Sequence, residues 1–375
     1  MTQNHDVLFD EFAFDGVSLD NRVGLAPMTR ASATEDGRAT ERMTRYYAKF
    51  ARGGFGFLVT EGTYVDQRHS QGYLNQPGLA TDEQVDAWEQ VTEAVHDEGS
   101  PILAQLMHAG ALSQGNPHAD ETVAPSAVQP VGEQSELYGG EGEFATPREL
   151  TVDELDEIRD SFVESAKNAH DAGFDGVELH AANGYLLNEF IARDANQRDD
   201  EYGGSTENRV RYPAEVVDSV REELPDEFVV GVRVSQTKTN DGEYEWKDGA
   251  DDAAVVFSAL ADAGADFVHV TDPDITAPAF GEDGQTFAEF AVEHAETTVV
   301  ANGGLGDPDD AAAVVEATGA DLVTVGKSAL SNPDWPQQVE AGEDLDPFDF
   351  ENILLPQATL SDHEIPDESV APAND

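Results

Sequence analysis

TTVVANGGLGDPDDAAAVVEATGADLVTVGKS, residues 297–328, reads as one complete repeat of the fold. It opens on an apolar run with strand character, TTVVANGG (297–304), and passes through Asp307-Pro308. There a cap residue precedes a proline that a helix tolerates in its first turn. It closes on a second run, DLVTVGKS (321–328). Neither run alternates strictly between apolar and polar residues, which suits strands buried on both faces of a parallel sheet. Working outward, six more such runs precede it: NRVGLAP (21–27), FGFLVTEG (55–62), PILAQLMHAG (101–110), FDGVELHAA (174–182), FVVGVRVS (228–235) and DFVHVTDP (266–273). Most lead into a helical pattern. Eight β/α units over 375 residues predict an α/β fold, a single-domain (β/α)8 TIM barrel. A doubly wound open sheet would bring a G-x-G-x-x-G turn after its first strand, and NRVGLAPMTR is not one.

The helices carry their own punctuation. Thr81-Asp-Glu-Gln84 and Thr151-Val-Asp-Glu154 match the capping box. Asn332-Pro333 repeats the cap-then-proline pattern, and Gly99, Gly173 and Gly264 each follow a helical pattern directly. The barrel is expected over 21–341. Residues 1–20 form an N-terminal segment expected to plug or cover the barrel bottom. Residues 111–150, rich in glycine, proline and acidic residues, form a long lid-like insertion after strand three, of the size that is functional or disordered. Residues 342–375 form an acidic tail expected to pack through Phe348, Phe350, Leu354 and Leu355.

Twenty Lys and Arg stand against 77 Asp and Glu, a net charge of −57. Nucleic acid is excluded as a partner because its phosphates would be repelled. The regular apolar runs argue for a folded core in an acidic coat, the kind found in halophilic proteins, over disorder. At molar salt the Debye length is about 3 Å and the self-repulsion is screened. Cysteine is absent, so disulfides, thiolate nucleophiles and cysteine-held iron–sulfur clusters are excluded. No apolar stretch reaches the about 18 residues of a membrane span. MTQNHDVLFDEFAFDG has no basic region followed by an apolar run, so a cytoplasmic location is expected. Monomer and homodimer both remain open.

Barrel active sites occupy the C-terminal ends of the strands. Those ends deliver Pro27, Met28 and Thr29 from strand one, Gly62 from strand two, and Gln105 and His108 from strand three. Strand four delivers His180, Asn183 and Tyr185, strand five Arg233, strand seven Asn302, Gly303 and Gly304, and strand eight Gly326 and Lys327. Glycines after the last two strands expose backbone N–H groups at a helix start, where a phosphate would bind, and Lys327 adds charge. Viewed alone, Arg233 is as readily a salt-bridge partner, Gln105 a structural strand end and His108 a packing histidine. His180 and Asn183 can converge on one oxygen and polarise it. Tyr185, with a reference pKa near 10, can protonate the neighbouring carbon. The plainer alternative packs Tyr185 with Leu186, Leu187 and Phe190 and leaves His180 as a core histidine.

NRVGLAPMTR, TEGTYV, QLMHAG, LHAANGYLLNEF with DEYGGSTENRVR, VGVRVS, ANGG and VGKSALSNPDWP follow one another in this order over residues 5–345. In order and spacing the set resembles the old yellow enzymes, the FMN-dependent ene-reductases. The resemblance implies FMN held by Ala26, Pro27, Met28, Thr29, Gly62, Gln105 and Arg233, with its phosphate at Gly303, Gly304, Gly326 and Lys327. It implies His180 and Asn183 as carbonyl binders and Tyr185 as proton donor. NADH or NADPH would give hydride to the flavin, which reduces the C=C bond of an α,β-unsaturated carbonyl or nitro compound. Thr29 places the chain with the branch that tunes the flavin through a hydroxyl rather than a cysteine. Two departures stand out. Ala111 follows HAG where the family usually has arginine, and Lys327 stands where arginine is commoner. The dienoyl-CoA reductases of the same lineage need cysteines for an iron–sulfur cluster, which this chain lacks. Two rival readings are a phosphate-binding barrel lyase or aldolase, and a non-catalytic flavin-binding protein.

Overall fold

The computed structural model describes residues 5–14, 16–281 and 284–365. Its centre is a closed parallel barrel of eight strands: β1 (Val23–Leu25), β2 (Phe57–Val59), β3 (Ile102–Met107), β4 (Gly176–Asn183), β5 (Val229–Lys238), β6 (Phe267–Thr271), β7 (Thr298–Asn302) and β8 (Leu322–Val325). Each pairs with its sequence neighbours, and the pairing of Val325 with Leu25 between β8 and β1 closes the ring. All eight expected runs become strands, because residues buried on both faces cannot alternate and therefore stay apolar. Helices return the chain from each strand to the next.

The barrel bottom is filled with rings. The hairpin Phe12–Phe14 with Val17–Leu19 sends Phe14 and Leu19 into a buried cluster with Phe57, Leu103, Val229, Phe267 and Leu322. Glycines make the room. A Cβ on Gly231 would lie 2.0 Å from the Phe267 ring, and one on Gly24 2.3 Å from the Phe57 ring.

Helix punctuation holds with two corrections. Thr151 and Glu154 form the reciprocal capping box. Thr81 accepts from the Gln84 backbone N–H, but the Gln84 amide reaches back to Ala80 and across to Tyr64 instead of closing the box. Asn332 does not cap the next helix, which begins at Trp335 with Pro336 in its first turn. Its side chain instead ties the Ser328 carbonyl, in the short helix Lys327–Ser331, to the loop at Asp346.

The 111–150 segment is folded. It holds a short parallel pair, Val123–Ala124 with Arg148–Glu149, and a helical turn, Glu136–Tyr138. The tail packs partly as expected. Phe348 and Leu354 pack against the core, whereas Phe350 and Leu355 are 44% and 46% exposed, and Ile353, Ala358 and Leu360 are buried instead. Its anchor is polar: fully buried Arg30 donates to both Glu364 carboxylate oxygens, at 2.5 and 2.8 Å, and to the Ile353 and Thr359 carbonyls. Residues 366–375 of the tail and 1–4 of the N-terminal segment lie outside the described residues.

Candidate active site

Parallel register decides which side chains meet. Arg233 of β5 lies beside His180 of β4 and His269 of β6, and Gln105 of β3 lies beside Glu178 of β4. Strand side chains alternate with period two, so Glu178 and His180 share the inward face. The upper interior is therefore polar, one layer above the rings of the bottom cluster.

Two adjoining cavities open at the strands' C-terminal ends. The inner one, about 250 Å³, is lined by Thr29, Gln105, Met107, Tyr138, His180, Asn183 and Tyr185. The outer one, about 810 Å³, runs over Gly303, Gly304, Gly326 and Ser328. Pro27, Met28, Arg233 and Lys327 line both, so the two make one elongated site. Ala26 lines the outer part. The glycine floor is needed there. Gly303 has φ +133°, and a Cβ on it would lie 1.8 Å from the Asp272 carbonyl oxygen.

Buried side-chain nitrogens of residues lining this site lack partners. Arg233 uses one nitrogen, Nη2, to donate to Asn302 Oδ1 at 2.8 Å, while its Nε and Nη1 have no partner. Burial pushes its guanidinium down to about 10, against the pull of Glu178, so it remains a cation at neutral pH. His180 Nδ1 is likewise unpartnered. Burial first, and Arg233 next, hold His180 down at about 3, so it is a neutral imidazole.

A buried chain of hydrogen bonds supports these groups from below. Gln105 Nε2 donates to Glu178 Oε1 at 2.8 Å. Glu178 Oε2 meets His269 Nδ1 at 2.5 Å, and His269 Nε2 meets the Thr324 hydroxyl at 2.9 Å. Burial alone would raise the Glu178 carboxyl, but His269, Arg233 and Gln105 together hold it below its usual range. Because Glu178 takes the Gln105 amide N–H, the Gln105 carbonyl oxygen is the end left for a ligand donor.

Asn183 stands in the left-handed region at φ +63°, held by its N–H to the Ser235 hydroxyl at 2.7 Å. Such backbone is costly outside glycine and turns the side chain out of the strand. Tyr185 caps the short helix Leu186–Ile191 and is 7% exposed. Its hydroxyl bonds that of Tyr73, and burial raises its pKa above the ordinary value. Tyr73 packs at 4.5 Å between ring centroids on Tyr138, whose hydroxyl reaches Thr29.

Of the fourteen residues that the resemblance assigns to the site, thirteen line the two cavities. Gly62 does not. It lies behind the wall against Met107 and Gln105, with its carbonyl accepting from Gln76. His108 is buried outside the site and accepts from the Gly110 N–H, as a packing histidine does. Arg233 takes Asn302 as its hydrogen-bond partner rather than the carboxylate of a salt bridge. Tyr73, Tyr138, Glu178 and His269 belong to the site or its support and were not singled out. Glu178 and His269 alone gave a signal, as polar residues inside apolar runs.

A family model described as "NADH:flavin oxidoreductase / NADH oxidase family" matches residues 7–346. The chain is 32% identical over 343 residues to an NADH oxidase of Thermoanaerobacter brockii; the match covers 89% of this chain and 51% of that one, so it spans about half the relative's length. It is 32% identical to 12-oxophytodienoate reductase 1 of Oryza sativa subsp. japonica, covering 91% of this chain and 88% of that one. Among solved structures, the old yellow enzyme homologue of Zymomonas mobilis superposes with a TM-score of 0.85 at 32% identity, covering 96% and 98% of the two chains.

Proposed function

The chain belongs to the NADH:flavin oxidoreductase / NADH oxidase family, an FMN-dependent oxidoreductase of the old yellow enzyme type, and from that premise we propose how its own residues divide the work of alkene reduction. The observation that carries the proposal is the set of buried nitrogens without partners, Nε and Nη1 of Arg233 and Nδ1 of His180, at a site floored by glycine backbone. Buried polar groups are nearly always paired, so donors left open at a cavity suit a ligand with acceptors.

FMN fits this donor set. Gly303, Gly304, Gly326 and Lys327 would hold its phosphate, and Ala26, Pro27, Met28 and Thr29 would flank the ring. The Gln105 carbonyl would accept from a ring N–H, and Arg233 would face the ring's electron-rich edge. Bound there, FMN would supply the redox chemistry, hydride transfer from NADH or NADPH to the β-carbon of an α,β-unsaturated carbonyl or nitro compound.

The chain's residues handle the oxygen and the proton. His180, neutral and buried, donates an N–H to the substrate oxygen without adding a full charge to the pocket. Asn183 supplies the second donor, and the pair stabilises the negative charge that grows on that oxygen. Tyr185 holds its proton at the phenolic oxygen and transfers it to the α-carbon. Its raised pKa keeps it protonated until that carbon demands the proton. Tyr73 fixes the direction of the Tyr185 hydroxyl, and Tyr138 closes the cavity above it.

The test is an absorbance spectrum in molar salt under argon. Flavin bands should bleach with NAD(P)H and return when cyclohexenone is added. A protein that neither retains nor takes up FMN would overturn the assignment.

A further inference from the structure

Glu61 stands two residues past β2 and is 1% exposed. Its Oε2 accepts two successive backbone N–H groups from the loop that follows β1, those of Arg30 and Ala31, both at 2.9 Å. Its own N–H donates to the Tyr47 hydroxyl at 2.9 Å, which anchors Glu61 to the helix Glu41–Arg52. The Arg30 N–H lies in the peptide plane that begins at the Thr29 Cα, so holding it fixes Thr29 itself. Ala31 stands at φ +37°, in the left-handed region, which a residue other than glycine keeps only where its surroundings hold it. The Arg30 side chain is bound elsewhere, to Glu364 of the tail. Burial pushes the Glu61 carboxyl up to about 7, against the pull of the two N–H groups. Oε2 can accept in either protonation state, so the grip does not depend on the charge.

We propose that Glu61 is a positioning residue for the flavin: by clamping the Thr29–Arg30–Ala31 backbone it sets where the Thr29 hydroxyl meets the ring, and through it the reduction potential. The inference rests on the reading that FMN occupies the site, whose inner cavity Thr29 lines. A hydroxyl that donates to the ring favours the electron-richer reduced form, so a displaced Thr29 lowers the potential. Burying a carboxyl is costly, and an apolar side chain of the same size would fill the space without that cost. What it would not supply is the acceptor for two N–H groups beside Thr29.

Three variants test this. Glu61→Leu keeps the bulk and loses the acceptor, Glu61→Gln keeps an acceptor oxygen, and Thr29→Ala removes the hydroxyl. The first readout is hydrogen exchange of the Arg30 and Ala31 amides in the apoprotein. Glu61→Leu should speed it by about tenfold or more, and Glu61→Gln should leave it near the wild-type rate. The second is the midpoint potential of bound FMN in molar salt, read against redox dyes. Glu61→Leu should lower it by about 30 mV, a tenfold change in the two-electron equilibrium, and Glu61→Gln should restore it. In a Thr29→Ala background the same substitution should move the potential far less, because the group that Glu61 positions is already gone. A merely structural role would show no such dependence on Thr29. Unchanged amides, a wild-type potential in Glu61→Leu, or an equal shift with and without the Thr29 hydroxyl each overturn the proposal. Should Glu61→Leu not fold, Glu61→Asp draws the oxygen back by one methylene and carries the same expectations. Wild-type protein that takes up no FMN fails the flavin reading and this inference with it, whereas FMN uptake with an unmoved potential in the variant fails the inference alone.

Discussion

The two ends of the barrel share eight strands and differ in what their inward side chains leave unpaired. At the bottom, Phe14, Phe57, Phe267 and their neighbours fill the interior with rings, and glycines give way to them. At the top, Gln105, Glu178, His180, Arg233 and His269 occupy the same inward positions a few residues further along. There His180 Nδ1 and Arg233 Nε and Nη1 stay buried and unpartnered. One end gains stability from packing, and the other carries unpaired buried nitrogens, which suit a ligand. Stability and chemistry are therefore separable along the barrel axis, and mutations can be chosen to move one without the other.

The largest separable effect belongs to the bottom. Phe267→Ala should cost about 3–5 kcal/mol of stability through cavity formation. The flavin spectrum and midpoint potential should not change, because the ring lies below the polar layer. A shifted potential in chemical and thermal conditions where the variant is folded would break the separation. At the top, Arg233→Met should reverse that pattern. FMN affinity should fall by about 10- to 100-fold, as expected for losing a charged hydrogen-bonding group. Unfolding of the apoprotein should shift little or upward, since a buried charge is removed. Fluorescence titration with FMN, alongside apoprotein denaturation, measures both.

His180→Ala sharpens the comparison within the site. A phenol, which mimics the substrate oxygen, should bind about tenfold more weakly, read from the perturbed flavin spectrum. The pH dependence follows from the burial of His180. Its pKa of about 3 lies below the ordinary value, so it protonates only as pH falls towards 3. Phenol affinity should therefore carry no His180 inflection between about pH 5 and 8. An inflection near 6.5 that disappears in His180→Ala would show that the imidazole titrates normally and is not buried beside Arg233.

How much of this was legible beforehand follows the same division. The strands were readable because burial on both faces leaves no polar alternation, and the ends of those strands named most of the cavity. Gly62 falls just outside the cavity lining, because a strand end shows where the chain emerges but not which way it turns. Glu178 and His269 were visible as polar residues in apolar runs, yet their pairing depends on a register that no single strand encodes. Tyr73 and Tyr138 arrive from loops, and their contact with Tyr185 and Thr29 is purely tertiary. The Arg30–Glu364 pair spans 334 residues, so the tail's buried anchor had no local signature. Phe350 and Leu355 misled because apolar residues in an extension need not be its buried ones.

The central claim is that Tyr185 delivers the proton while the rest of the site governs hydride, and stopped-flow measurement of the two half-reactions in Tyr185→Phe tests it most directly. Flavin reduction by NAD(P)H should proceed at the wild-type rate, and reoxidation by cyclohexenone should slow by about 10²- to 10⁴-fold. Wild-type rates in both half-reactions would remove Tyr185 from proton transfer and contradict the account.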